Sequence, residues 1–315
     1  MQSTEPMIDM AALPAQHPDT PATAAARRAR FFNSGNAFNV KLPPVPARIF
    51  TREPAAALAA PAATGYFPCD QSASLGCDFP ATTPLMLARY ARIAAGATLT
   101  ADFAATGSIW YVIEGQGEAV CGAEAIAWAA GDIFLLPGTG AASLRAGAQG
   151  AVLWSVSNEP QLAFEHLRPA AAAPAAVALV HYPAAEIARQ FETIFRAGSN
   201  AATSGVALIF SSDLQQTARN ILPTLTLSFN TLPAGEQQRA HRHNSAAVTL
   251  IVRGAGCHSI VGDESCAWAP WATMVTPAGA PHSHHNGGGE RAYFLIVQDG
   301  GLYYHARTMG FEFLE

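Results

Sequence analysis

The sequence predicts an all-β fold, two small barrels in one chain with a few short helices. The first observation behind this is texture. From residue 86 the chain runs in short apolar stretches closed by glycine turns, "LMLARYARIAAG", "SIWYVIEGQGEAV", "AIAWAAGDIFLLPG" and "GAVLWSVSNE". Runs of that length, rich in β-branched and aromatic residues between turns, make the strands of an antiparallel sandwich or barrel. The second observation is an internal repeat. "GATLTADFAATGSIWYVIEGQG" (residues 96–117) and "GEQQRAHRHNSAAVTLIVRGAG" (residues 235–256) both run glycine, strand, turn, strand, Gly-x-Gly, and "GDIFLLPG" (131–138) is answered by "WATMVTPAG" (271–279). The third is length: 315 residues, 50% hydrophobic, fit two copies of one β unit better than one large sheet.

Composition narrows the function. A net charge of −5 with no basic run gives no electrostatic footprint for nucleic acid. Five scattered cysteines without a C-x-x-C pair fit reduced thiols in a cytoplasmic protein rather than a disulfide framework or a thiolate zinc site. The first residues carry acids and prolines where a secretory signal would need a basic and then an apolar segment, and no apolar stretch has the ~18 uncharged residues of a membrane span. A cytoplasmic protein without nucleic-acid or membrane partners is expected.

Taken in order, residues 1–40 are Ala-, Pro- and Thr-rich and predict a mobile arm, with a short helix within "TPATAAARRARFF" (20–32). Residues 41–167 predict the first barrel. Prolines at short intervals up to residue 85 leave an irregular wrap with no helix of length. Residues 168–200 predict a Pro/Ala linker and a surface helix over 183–198, where Ile187, Phe191 and Ile194 recur at helical spacing. Residues 201–315 predict the second barrel. There is no G-x-S-x-G elbow, Walker loop or dinucleotide fingerprint, and Lys41, the only lysine, lies in the Pro-rich wrap.

Histidines carry the chemical signal. Seven of the ten, His241, His243, His258, His282, His284, His285 and His305, fall in the last quarter. Side chains at i and i+2 of a strand project to one face, so His241 and His243 point together, with Gln237 and Arg239 beside them if the strand is regular. In "TPAGAPHSHHNGGGE" (276–290) Pro277 and Gly279 set a turn and His282 opens the next strand as the third ligand. Three imidazoles converging inside a barrel call for a cation to justify their desolvation. His258 and His285 are read as non-ligands.

This pattern resembles the cupin superfamily, whose first motif runs G…H-x-H…E…G and whose second runs G…P-x-G…H…N. Gly235, His241, His243 and Gly254 match the first, and Pro277, Gly279, His282 and Asn286 the second. The departures are Ala247 or Val248 in place of the glutamate and Trp271 in place of the second motif's leading glycine. In the first half Gly96, Gly115, Gly131 and Pro137 keep the scaffold, while Asp102 and Ala104 stand for the histidine pair and Ala142 falls near the third histidine's place, so that barrel is expected to hold no metal. The resemblance implies two cupin (double-stranded β-helix, jelly-roll) barrels.

Without a carboxylate, three neutral imidazoles leave a divalent ion its full charge and open positions, a site suited to a chelating anion and O2. Such a bicupin resembles the gentisate dioxygenase family, with its salicylate and hydroxynaphthoate relatives. The family's H-R-H-T-Q-S-A is similar to "HRHNSAA" (241–247) and its W-H-D-H-G-N to "PHSHHN" (281–286). The layout covers residues 86–310, with sequence similarity evident over 239–310.

The resemblance implies an Fe(II)-dependent enzyme that opens the ring of a hydroxylated aromatic acid with O2, with His284 as acid/base group and Asn230 in the place of a strand glutamine. The family's carboxylate-binding arginine falls at Thr249, which puts gentisate itself in question and makes Arg239 the replacement cation, with Asp299 also at the mouth. Tyr303, Tyr304, His305 and Arg307 are further rim candidates. A homo-oligomer is expected. Two readings stay open beside it: a cupin isomerase or hydrolase using Zn, Mn or Ni as Lewis acid, and a barrel that only binds a small ligand.

Overall fold

The computed structural model describes residues 8–38, 41–59, 63–170, 175–197 and 206–314, so parts of the predicted arm, linker and second barrel lie outside the described residues. The chain divides into two compact units, Met1–Pro44 and Val45–Glu315. The first unit folds back on itself: Gln16 and Phe31 exchange backbone hydrogen bonds of 2.9 and 3.0 Å, and the Asn36 side chain donates to the Leu13 carbonyl at 2.7 Å. Within the predicted helical stretch, α1 (Ala24–Arg27) is capped by Thr23, whose hydroxyl accepts the Ala26 N–H.

The second unit opens with β1 (Arg48–Phe50), α2 (Arg52–Leu58), β2 (Gly65–Pro68) and α3 (Ser72–Leu75). The stretch expected to be irregular thus supplies two strands and two short helices. The strands owe their existence to partners remote in sequence, which local patterning does not reveal.

Six strands then build the first barrel: β3 (Leu87–Ile93), β4 (Thr98–Ala101), β5 (Gly107–Cys121), β6 (Glu124–Ala129), β7 (Ile133–Pro137) and β8 (Ala142–Ser157). They are followed by α4 (Glu159–Phe164), β9 (Val180–Tyr182) and α5 (Ala184–Ala197). The second barrel holds β10 (Val206–Phe210), β11 (Thr226–Leu232), β12 (Gln237–His243), β13 (Ala247–Arg253), β14 (Cys257–Val261), β15 (Glu264–Ala267), β16 (Thr273–Thr276), β17 (His282–Asn286) and β18 (Ala292–Gln298). Two last elements, α6 (Gly300–Ala306) and β19 (Phe311–Phe313), close the chain.

The repeat seen in the sequence is a repeat of structure. β3 and β4 correspond to β11 and β12, β6 and β7 to β15 and β16, and the long β5 and β8 to the pairs β13/β14 and β17/β18. In the first barrel β5 and β8 stay continuous through bulges near Val112–Glu114 and Gly115–Gly117, so all eight strands hydrogen-bond as one folded-over sheet, with β2-β3-β8-β5-β7-β9 as its main path. In the second barrel turns at residues 254–256 and 287–291 break the long strands, leaving a six-stranded sheet, β1-β16-β13-β18-β11-β10, and a five-stranded one, β15-β14-β17-β12-β19. β1, which precedes the first barrel, pairs with β16 of the second.

The barrels pack through one sheet face each. Tyr111, Val156, Phe229, Val248, Leu250, Val275, Leu295 and Val297 belong to one shared apolar core. The helix expected over 183–198 is α5, and its Phe191 packs edge-on against Phe229 and Tyr293 at 5.3 and 5.9 Å. Polar bonds inside this core fix the register: Thr273 Oγ1 accepts Trp154 Nε1–H at 2.9 Å and bonds the Tyr90 hydroxyl at 2.7 Å.

Inside, the two barrels differ. The first is filled by Leu99, Trp110, Trp128, Phe134, Leu136 and Leu144, with Trp110 stacked between Phe103 and Phe134. The second has only a partial apolar plug, Leu232, Ile251, Cys257, Trp268, Ala272, Ala292 and Phe294. Its remaining interior is polar.

Gly115, at φ +89°, sits in the bulge of β5, where a Cβ would stand 2.8 Å from Ala151 Cα and closer still to the Gly150 carbonyl. Gly122, at φ +60°, has open space around it. Gly115→Ala is therefore expected to cost about 3 kcal/mol, left-handed strain plus overpacking, and Gly122→Ala only about 1 kcal/mol. Denaturant melts of the two variants check the contrast.

Candidate metal centre

Three histidines meet, buried, in the second barrel. β12 and β17 are antiparallel neighbours with His241 directly opposite His282, and His243 lies two residues further on the same side. Ring centroids are 4.2 Å apart for His241 and His282 and 4.8 Å for His243 and His282, and one nitrogen from each residue lies within 4.8 Å of the others.

The backbone orients every ring. Nδ1 of His241 lies 2.8 Å from the Arg239 carbonyl, Nδ1 of His243 2.8 Å from the Ser245 carbonyl, and Nδ1 of His282 2.9 Å from the Ala280 carbonyl. A carbonyl can only accept, so each Nδ1 carries its hydrogen and each Nε2 keeps a free lone pair. Burial pushes all three pKa values down, that of His282 to about 3 with added repulsion from His241, so the rings are neutral near pH 7. Three neutral Nε2 acceptors converging with no proton among them are the donor set of a divalent transition metal, and the residues present fit one.

Register assigns the rest of the interior. Cross-strand partners share a face, so Ala247, opposite both Thr276 and Gln298, faces inward, and so does Thr249, opposite Met274 and Ile296. The inward position left by the missing cupin carboxylate is thus Ala247, not Val248, which belongs to the shared core. Gln298 reaches in from β18 to place its Nε2 3.1 Å from His243 Nε2. Sequence reasoning missed it; its one signal was an amide at an alternation position of the final long strand.

Strand β12 is not regular. Its pairing with β17 slips by one residue between Gln238 and His241, so Gln238 stands opposite His284 and Gln237 opposite His285. This corrects the expectation that Gln237 and Arg239 share the row of His241 and His243. Arg239 falls within the bulge, exposed, with its guanidinium 4.2 Å over the Phe313 ring. Gln238 replaces its neighbour as the inward residue, and its Oε1 is buried without a hydrogen-bond partner.

His284 lies on the inner side two residues after His282, almost wholly buried at 2% exposure. Its Nδ1 is 2.7 Å from Ser259 Oγ, which accepts Trp268 Nε1–H at 2.8 Å, and burial holds its pKa well below the usual value. Asn230 faces inward from β11 opposite Phe294 and donates to Ser228 Oγ at 2.7 Å. Asp299 is buried, and its carboxylate is taken up by the backbone, accepting the Ala246 N–H at 2.8 Å where β13 begins. Tyr303 is half-buried on α6, and Tyr304, His305 and Arg307 are exposed. His258 and His285 stack at 4.7 Å on the outer face of the five-stranded sheet.

The chain end adds a wall that the sequence did not announce. β19 pairs with β12, setting Phe313 opposite His241 and Phe311 opposite His243. The Phe311 ring stacks on His241 at 5.2 Å. Asn244 pins this strap: its amide donates to the Thr308 carbonyl at 2.8 Å and its Oδ1 accepts Gly310 N–H at 2.9 Å. In the first barrel, at the places matching the histidine pair, Asp102 is exposed and Ala104 is half-buried.

Two barrels of duplicated antiparallel strands, with an H-x-H strand beside a third histidine in the second, make a double cupin fold. Residues 228–298 match the family described as the cupin domain, and the chain has the fold of two cupin barrels. A salicylate 1,2-dioxygenase structure from Pseudaminobacter salicylatoxidans superposes with a TM-score of 0.70 at 14% identity, covering 88% of this chain and 90% of that one, a likeness of fold. In sequence, the chain is 35% identical over 79 residues to a gentisate 1,2-dioxygenase of a Ralstonia species, which is 25% of this chain and 22% of the relative. It is 25% identical over 122 residues to a 5-aminosalicylate 1,2-dioxygenase of a Comamonas species, 38% of this chain and 32% of that relative. The aligned part thus spans a third or less of each of these two relatives. Among the described residues no helix is long and apolar enough to cross a membrane.

Burial raises the Asp299 carboxyl from 3.8 to about 7. Between those values the native protein binds a proton that the unfolded chain has released, so the stability this carboxyl contributes is full at lower pH and is lost as pH rises through about 7. Asp299→Asn keeps the acceptor for the Ala246 N–H and removes the ionisation. Its melting temperature relative to the wild type is expected to rise from about pH 4 to about pH 7 and to level off above; thermal melts across that range test it.

Proposed function

We propose that the protein is an Fe(II)-dependent dioxygenase that opens the ring of a hydroxylated aromatic acid of the gentisate or salicylate type, with the ion held by His241, His243 and His282. The observation that carries this reading is the carboxylate-free triad: three neutral imidazoles, each fixed by a backbone carbonyl, with a methyl group at Ala247 where a charged ligand would stand. The names of the relatives, which act on gentisate and aminosalicylate, support the substrate class. Fe(II) in such a site would supply open positions for the substrate's oxygens and O2 and a path for electrons between them.

The chain's own residues do the rest. Trp268 and Phe294 pack beside His284 at the inner end of the barrel, and Phe311 and Phe313 stand on the strand next to His241. Gln238 Oε1, buried and unpartnered, is an acceptor waiting for a donor such as a ring hydroxyl. His284 enters the reaction neutral, tied to Ser259, and is the group that takes and returns a proton during ring opening. Asn230 lines the same interior and helps to seat the ring. Thr249 offers no charge to a substrate carboxylate, so Arg239 receives it by swinging from the Phe313 ring at the rim. All five cysteines are unpaired, in keeping with a cytoplasmic enzyme.

Protein loaded anaerobically with Fe(II) is expected to take up O2 one for one with the appearance of a ring-opened product when offered gentisate, salicylates, hydroxynaphthoates or aminophenols in turn. His282→Ala should abolish uptake. Bound iron with no uptake across the panel would overturn the dioxygenase and favour Lewis-acid or ligand-binding chemistry at the same histidines. Arg239→Met tests the carboxylate contact: KM is expected to rise tenfold or more for acids and to stay unchanged for a hydroquinone lacking the carboxylate.

A further inference from the structure

We infer that Phe311 is a substrate-selecting residue: its ring receives the aromatic ring of a chelating acid seated at the histidine centre, so the site favours ring-bearing chelators over small ones that offer the same donors. The inference rests on the proposed reading of His241, His243 and His282 as metal ligands and deepens it by naming what recognises the ring. Three observations carry it. Register comes first: β19 lies beside β12 with Phe311 opposite His243 and Phe313 opposite His241, and cross-strand partners share a face, so both rings stand on the side of the ligand histidines. Contact comes second. The Phe311 ring stacks on His241 at 5.2 Å with 28° between the planes and meets Phe313 edge-on at 4.9 Å. The third is exposure: His241, His243 and His282 are each 5% exposed, whereas Phe311 is 48% exposed. Part of its ring is spent on its neighbours, and the rest is bare apolar surface at the border between solvent and the buried nitrogens.

The way the strap is held points the same way. β19 has three residues, none of them buried, and no core packing to account for its position. Polar contacts fix it instead. Leu314 N–H donates to the Ala240 carbonyl at 3.0 Å, Asn244 holds Thr308 and Gly310, and Glu312, on the opposite face, accepts from Arg242 Nε at 2.8 Å. The strand of the histidine pair is thus extended by two aromatic residues that gain little from folding alone. Trp268 and Phe294, also near the centre, are buried and already committed to the apolar plug. A planar ring laid on Phe311 would take its remaining apolar surface from water, in the offset or edge-on geometry that aromatic pairs favour.

Co(II)-loaded protein provides the test, because the visible bands of that ion report an arriving chelator without turnover. Salicylate and lactate both offer a hydroxyl and a carboxylate, and only salicylate has a ring. Phe311→Ala is expected to weaken salicylate binding at least tenfold and to leave lactate within twofold of the wild type. Phe311→Leu, which keeps apolar bulk without a ring, should weaken salicylate at least threefold, and Phe311→Tyr should bind it like the wild type. Equal losses for both anions would mean that Phe311 only supports His241, and would overturn the assignment. So would salicylate binding unchanged in the Ala and Leu variants, and the Leu variant decides if the Ala variant fails to fold by circular dichroism. His282→Ala separates the two levels of inference. Co(II) binding that survives it undiminished would sink the metal centre and Phe311 together, whereas His282-dependent binding of Co(II), with salicylate indifferent to residue 311, would sink Phe311 alone.

Discussion

Three backbone carbonyls, those of Arg239, Ser245 and Ala280, set the chemistry of the second barrel. Each accepts Nδ1–H from one histidine, and together they turn three flexible titrating side chains into fixed neutral acceptors aimed at one point. Two of these carbonyls depend on irregular backbone: Arg239 lies in the β12 bulge, and Ser245 in the turn between β12 and β13. The third, Ala280, belongs to the turn begun by Pro277 and Gly279, where Gly279 adopts φ +74° and its N–H donates to the His243 carbonyl at 2.7 Å. The sheets supply position and the interruptions supply orientation.

A comparison of the two halves shows what it takes to keep or lose such a site on one scaffold. The first barrel has spent its interior on tryptophan and phenylalanine stacks and gains apolar burial. The second gives up that packing, holding buried polar groups that each require a partner. Most are found on the backbone or on neighbouring side chains, as with His284, Ser259 and Trp268. Gln238 Oε1, on the strand of His241 and His243, is one of those left without a partner.

Much of this was legible in the sequence because the information was local or periodic. The two barrels followed from glycine-punctuated apolar runs and from the spacing of the repeat, and the convergence of His241, His243 and His282 followed from i, i+2 alternation and a Pro-Gly turn. What was not legible depends on pairing across long distances. The slip in β12 is set by its partner β17 and overturned the simple alternation that put Gln237 and Arg239 beside the histidines. Gln298 becomes part of the centre only because β18 lies beside β13, and β19 is a strand of three residues with no pattern of its own. Asp299 looked like a rim acid for want of any sign that the Ala246 N–H would claim it.

The pairing of β1 with β16 bears on how such a protein is built as a modular object. Arg48–Phe50 lies upstream of the whole first barrel, yet forms the border of the sheet that backs the histidine centre. A chain cut between the barrels would therefore yield a second half with a bare sheet edge at β16, an invitation to stray strand pairing. The two copies, alike enough to betray a common plan, are stitched together by this exchanged strand. Removing the first barrel together with β1 would strip the border from the sheet that backs the three-histidine cluster.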